Sequence, residues 1–255
     1  MGNESAGRRA RLPANATATG DFAGRVRISG RRRLYIQCRG HGSPTVILDA
    51  GGGQNGRVWL AHKSGLPAVL PAVARFTRVC GYDRPGGLYP GGYGQPKSVS
   101  RSDPVAMPRT VRDMVLDLHA LLHTTRAVRA AGVRGPYVLA GDSFGGMVAR
   151  LYATTYPREV AGLVQIDAQT EWFADGYKRL LTPEQYASVV VNFPRYAPGF
   201  PGYSRYERPS LDASAAKCGK RRRTRRFDGC RLSSALTRPP TQIRSDFREV
   251  FRSRQ

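Results

Sequence analysis

The chain is short of acidic residues, poor in cysteine and, in its second half, without histidine. Across 255 residues, 18 Asp and Glu face 41 Lys and Arg, a formal net charge of +23 at pH 7. Such an excess draws a protein toward nucleic acid or anionic membrane. Its distribution weakens that reading. Residues 215–255 alone carry a net +10, and Arg8, Arg9, Arg11, Arg31, Arg32 and Arg33 cluster near the other end. No nucleic-acid-binding motif accompanies the charge, so solvated arginine is expected rather than a specific nucleic-acid partner. No apolar run approaches the roughly 18 residues of a membrane span, so none is expected. The first residues have arginines but no apolar stretch of the secretory kind, and a soluble cytoplasmic protein is expected. The four cysteines, Cys38, Cys80, Cys218 and Cys230, form no C-x-x-C pair, which argues against a zinc site. Cys38 and Cys80 lie in apolar, strand-like segments and read as buried free thiols, with a disulfide left open.

What is present reads as alternating strands and helices. Residues 1–22 read as a disordered basic tail. Val26, Ile28, Leu34, Ile36 and Cys38 suggest two short strands around the basic turn at Gly30–Arg33. Thr45–Leu48 is a β-branched, apolar run and reads as a buried strand. A glycine-rich loop, Gly51-Gly52-Gly53, follows it. Residues 58–75 suggest a helix interrupted by Pro67 and Pro71, Phe76–Tyr82 a strand, and Asp83–Pro104 a long loop. Val111, Met114, Val115, Leu118, Leu121 and Leu122 recur at i, i+3, i+4, i+7 and predict an amphipathic helix. Tyr137–Ala140 predicts a strand, Phe144–Tyr156 a helix and Val160–Ile166 a further strand. This alternation predicts an α/β core over 23–169 with a mostly parallel sheet flanked by helices. Residues 170–212 turn aromatic and proline-rich, with a helix start at Thr182-Pro183-Glu184-Gln185. Residues 213–255 read as a basic tail of low order.

One segment carries chemistry. Tyr137-Val138-Leu139-Ala140 runs into Gly141-Asp142-Ser143-Phe144-Gly145, a G-x-S-x-G placed between a predicted strand and a predicted helix. A serine on so sharp a turn needs strained backbone angles, and glycines two residues to either side leave room for the neighbouring elements. The turn lifts the Ser143 hydroxyl above the sheet edge, at a helix N-terminus where free N–H groups favour developing negative charge.

With these residues the chain resembles the α/β-hydrolase family, in particular its esterase-like members. The resemblance runs from about Leu34 to Ala168. It rests on four ordered blocks: Gly42 to Gly52, Arg78 to Gly86, the turn at Ser143, and Gly162 to Ala168. It implies an α/β-hydrolase fold with a lid-like segment at 170–212, whose aromatics include Trp172, Phe173, Tyr177, Phe193, Tyr196 and Phe200. It also implies a serine nucleophile, Ser143, acting on a small ester-like substrate through an acyl-enzyme. The oxyanion hole would use the backbone N–H groups of Gly52 and Phe144. No cofactor and no metal are expected. Asp167, at the end of the strand after the helix, stands where some members place the acid. A structural or capping role for it stays open.

The resemblance also exposes an absence. A serine hydroxyl needs a base to take its proton, and the family places a histidine on a late loop. All four histidines here, His41, His62, His119 and His123, precede Ser143, and none occurs in the 112 residues after it. His62, after the glycine loop, is the nearest substitute. His119 and His123 are i, i+4 on the amphipathic helix, lack a third ligand in the sequence pattern and are expected to be solvated. The abrupt change at 213–255 suggests a C-terminus that is not the family's own, through frameshift or truncation. A sheet edge left unpaired is expected there.

Overall fold

The computed structural model describes residues 20–62, 65–123, 132–170, 172–191, 205–210, 213–214 and 232–234. The expected tail at 1–22 falls outside them except for its last three residues. Nine strands alternate with helices among the described residues. β1 (Phe22–Ser29) and β2 (Arg32–Arg39) form the expected hairpin. β3 (Val46–Asp49) and β4 (Val79–Asp83) are short and wholly buried. Between them, the predicted helix over 58–75 resolves into a 3-10 turn, Gly56–Leu60, and one short helix, α1 (Val69–Val73). Pro67 lies before that helix, so its missing N–H interrupts nothing. The long loop after β4 holds a small ribbon, β5 (Leu88–Tyr89) with β6 (Ser98–Val99).

α2 (Val111–His123) buries the stripe its spacing predicts. β7 (Tyr137–Asp142), α3 (Phe144–Thr155) and β8 (Val160–Ile166) follow in the predicted order. α4 (Phe173–Leu180) and α5 (Pro183–Tyr186) come next, and α5 begins with the capping box at Thr182 and Gln185.

The main sheet has the order β1-β2-β4-β3-β7-β8-β9. Pairing is antiparallel at the β1, β2 and β4 end and parallel from β4 onward. Successive residues of the central strands point to opposite faces, so a continuous apolar run fills two cores at once. Ile47, Cys80, Leu139 and Leu163 meet α2 and α3 on one face. Val46, Leu48, Val79 and Val138 meet Trp59, Leu70 and Val73 on the other. Among the described residues no helix is long and apolar enough to cross a membrane.

Two expectations need correction. Cys38 and Cys80 are not free thiols: they are directly paired across β2 and β4 and form a disulfide. They are 42 residues apart in sequence, and only the antiparallel docking of β2 on β4 brings them together. The sheet edge at β8 is also not left unpaired. β9 (Leu232–Ser234), from the basic C-terminal stretch, lies parallel to β8 with Leu163 opposite Leu232. A backbone ladder needs only N–H and C=O groups, so a segment without apolar period can still fill the edge.

Candidate active site

The turn after β7 has the geometry its glycines predict. Ser143 has φ 50° and ψ −118° and caps α3. A positive φ is costly for any residue bearing a Cβ and persists only where the surroundings enforce it. Here the Ser143 N–H donates to Ile166 O at 3.0 Å, and its carbonyl accepts from Gly146 N at 3.0 Å and Gln169 N at 2.9 Å. A Cβ at Gly141 would collide with the Gly145 carbonyl, and one at Gly145 with the carbonyl oxygens of Asp49 and Ala50. The spacing of the motif is thus set by how closely α3 approaches the ends of β3 and β7.

The two residues expected to supply the oxyanion donors lie side by side. A Cβ on Gly52 would sit 3.4 Å from Phe144 Cβ. Phe144 is the first residue of α3, so its N–H has no intrahelical acceptor. Asp167 lies immediately past β8, exposed and at φ 44°. It stands beside Asp142, whose carboxyl pKa is raised first by burial and then by the Asp167 charge, against the pull of Arg84.

The histidines do not join them. His41 is exposed in the turn before β3, at the amino end of the parallel strands. His62 lines a groove with Tyr35, Gln37 and Arg39 of β2. β2 is three strands from β7, roughly 14 Å of sheet at the usual spacing. His119 and His123 lie in the later turns of α2 and both face Glu159, just before β8. They are therefore not simply solvated, and Glu159 supplies the third group the sequence pattern lacked.

A second buried constellation was not foreseen. Arg84 lies in the core beneath the glycine loop. Its guanidinium pairs with Asp49, donates to Glu207 Oε1 at 2.8 Å and Oε2 at 3.0 Å, and also donates to the carbonyls of Ala50 at 2.6 Å and Gly51 at 2.5 Å. Glu207 in turn accepts from Gly53 N at 2.7 Å. Tyr82 donates to Asp49 at 2.8 Å. Arg84 also lies 5.9 Å from the centre of the Phe144 ring, a cation–π distance. One cation and two carboxylates thus hold the loop carrying Gly52, and the same guanidinium lies over the Phe144 ring. Arg84 and Asp49 fell within the sequence blocks that carried the resemblance, but no pattern marked Glu207. Residues 205–210, within the segment expected to be lid-like, run over this loop: Glu207 N donates to Gly86 O, and Pro209 packs beside Gly52.

Burial opposes the Arg84 charge, but Glu207 and Asp49 outweigh it and hold its pKa well above the usual arginine value. Burial pushes the Asp49 carboxyl up to about 6, against the Arg84 charge and the hydrogen bonds from Tyr82 and Arg84. Between its ordinary value of 3.8 and about 6, the folded chain therefore holds a proton that the unfolded chain has lost. Stability from this site is fully present at low pH and falls as pH rises through that window, by on the order of 3 kcal/mol. Asp49→Asn is expected to flatten this slope in urea unfolding from about pH 4 to 7. An unchanged slope in the variant would assign it to another group.

Comparison with known proteins fits this architecture. No protein-family model matches the chain. An uncharacterized protein of Schizosaccharomyces pombe is 35% identical over 100 residues, 39% of this chain and 15% of that protein. RutD of Cronobacter turicensis, a protein assigned to carbamate hydrolysis, is 27% identical over 181 residues, 69% of this chain and 58% of RutD. The chain thus spans less than two thirds of the length of either relative. Among solved structures, the mouse alpha/beta hydrolase domain-containing protein 10 superposes with a TM-score of 0.50, at 17% identity, over 78% of this chain and 70% of that one. The chain has the α/β-hydrolase fold. In that fold the turn after β7, the loop after β3 and the end of β8 converge at the carboxyl edge of the parallel sheet. Open α/β sheets bind their ligands along this edge.

Proposed function

We propose that Ser143 is the nucleophile of a hydrolase site acting on small carboxylic esters through an acyl-enzyme. The observation that carries this reading is the positive φ of Ser143, held at a strand–helix junction beside Gly52. Strain of this kind concentrates where a side chain must be presented. In this reading the ester carbonyl carbon accepts Ser143 Oγ, and the N–H groups of Gly52 and Phe144 face the resulting oxyanion. Glu207 holds the Gly53 N–H, which leaves the Gly52 N–H as the loop donor beside Phe144. One such donor is worth about 3–4 kcal/mol of barrier. Asp167 is the proposed acid on position alone. RutD makes carbamates the second acyl class to assay.

A second reading is a scaffold that binds an acyl compound without turning it over. The absence of any histidine after Ser143 favours it. A fluorophosphonate probe separates the two. Labelling of the folded chain that disappears in Ser143→Ala is expected under the first reading. Folded protein that shows no Ser143-dependent labelling would leave only the second. As for compartment, the Cys38–Cys80 bridge supports an oxidising one, where disulfides persist, over the cytoplasm first expected.

A further inference from the structure

At the amino end of the parallel strands, on the opposite edge from Ser143, three side chains converge that the hydrolase reading does not use. His119 and His123 lie one turn apart near the end of α2. Glu159 ends the 3-10 turn Pro157–Glu159 that leads into β8. His123 Nε2 is 2.9 Å from Glu159 Oε2, and His119 Nε2 is 3.4 Å from Glu159 Oε1. The ligand atoms of all three lie within 4.8 Å of one another.

We propose that His119, His123 and Glu159 form a binding site for a zinc-like divalent cation. The argument is geometric first. Zinc holds imidazole nitrogen and carboxylate oxygen at about 2.0–2.2 Å, so tetrahedral ligand atoms stand roughly 3.4 Å apart. The observed separations need only small side-chain adjustments to admit the ion. Two imidazoles and a carboxylate are a donor set suited to zinc rather than to calcium or magnesium. The i, i+4 spacing puts both histidines on one helix face, a spacing used by helical zinc sites.

The surroundings fix the ligands as well. Tyr152 donates its hydroxyl to Glu159 Oε2 at 2.6 Å, which orients the carboxylate. The His119 ring stacks on Tyr156 at 4.0 Å and on His123 at 4.3 Å. All three groups are partly exposed, at 25–38% for their side chains, so an ion has a path in. His123 and Glu159 also line a cavity of about 540 Å³ shared with Arg134 and Arg158. Three protein ligands leave a fourth position for water or a small anion, and the two arginines favour an anion. The ion would tie the end of α2 to the start of β8, elements far apart in sequence.

The test is zinc titration of the full metal-stripped chain against a chromophoric chelator, with circular dichroism to confirm folding. One tight equivalent is expected. His119→Ala and His123→Ala should each weaken it by at least about 100-fold, and Tyr152→Phe by about 10-fold. Cys218→Ser/Cys230→Ser should leave it unchanged, and the cobalt-loaded chain should show no thiolate charge-transfer band. No tight equivalent in the wild type would overturn the proposal. So would one that survives His119→Ala/His123→Ala in folded protein, or one lost with the cysteines. The site does not depend on Ser143, and Ser143→Ala should bind zinc as the wild type does.

Discussion

Arg84→Met is expected to lower the stability of the chain by about 3–5 kcal/mol, the usual effect of removing one partner of a buried ion pair. The variant leaves Asp49 and Glu207 buried with no cation between them. It also removes the guanidinium donors from the carbonyls of Ala50 and Gly51, of which Gly51 keeps only the Gln54 N–H. For a domain of this size the loss corresponds to a fall in Tm of roughly 10 °C. Glu207→Ala should act in the same direction, since it leaves the buried Arg84 charge with Asp49 as its one carboxylate and takes the acceptor from the Gly53 N–H. The double variant should cost less than the two single losses added, because the groups act as one network. Thermal unfolding checks all three. A Tm within about 2 °C of wild type in Arg84→Met would show that the cluster is not what holds the glycine loop. Fluorophosphonate labelling should slow in parallel, because the same cluster positions Gly52 beside Phe144.

Ester turnover by these 255 residues is expected to fall by roughly 10⁴-fold or more below that of a site with its full set of acid–base groups. In the proposed reading Ser143 is the nucleophile and the N–H groups of Gly52 and Phe144 face the oxyanion. The proton on Oγ still needs an acceptor within hydrogen-bond reach. Among the described residues no histidine lies near it: His62 is across the sheet, and His119 and His123 are committed to Glu159. Added imidazole supplies the missing base from solution. It should therefore raise the rate with an activated aryl ester, in wild type and not in Ser143→Ala. Rapid turnover without imidazole would mean that a base reaches Ser143 from outside the described residues. Imidazole acceleration that is equal in Ser143→Ala would count against Ser143 as the nucleophile.

The order of the main-sheet strands β1 to β4, β7 and β8 was legible because each carries a local signal, whereas the two-residue strands β5 and β6 lie in what read as a loop. The stripe on α2 repeats at helical spacing, and β3, β7 and β8 are short apolar runs. The G-x-S-x-G at Ser143 was legible for a related reason: steric demand at Gly141 and Gly145 arises within a few residues. Pairings across the sheet were not. The Cys38–Cys80 disulfide depends on β2 docking antiparallel to β4. β9 joins the sheet through backbone hydrogen bonding, which leaves no apolar trace in composition.

The sequence by itself determined the presentation of Ser143, because strand, glycine turn and helix are adjacent in the chain and sterics alone dictate their geometry. Within these 255 residues it also showed no histidine after that serine. Only the tertiary structure decided what surrounds it. Glu207 reaches Arg84 from 123 residues away, and Glu159 reaches His123 from 36. Pairs of charges so distant in sequence are selected by burial and Coulomb attraction in three dimensions, where sequence spacing carries no information.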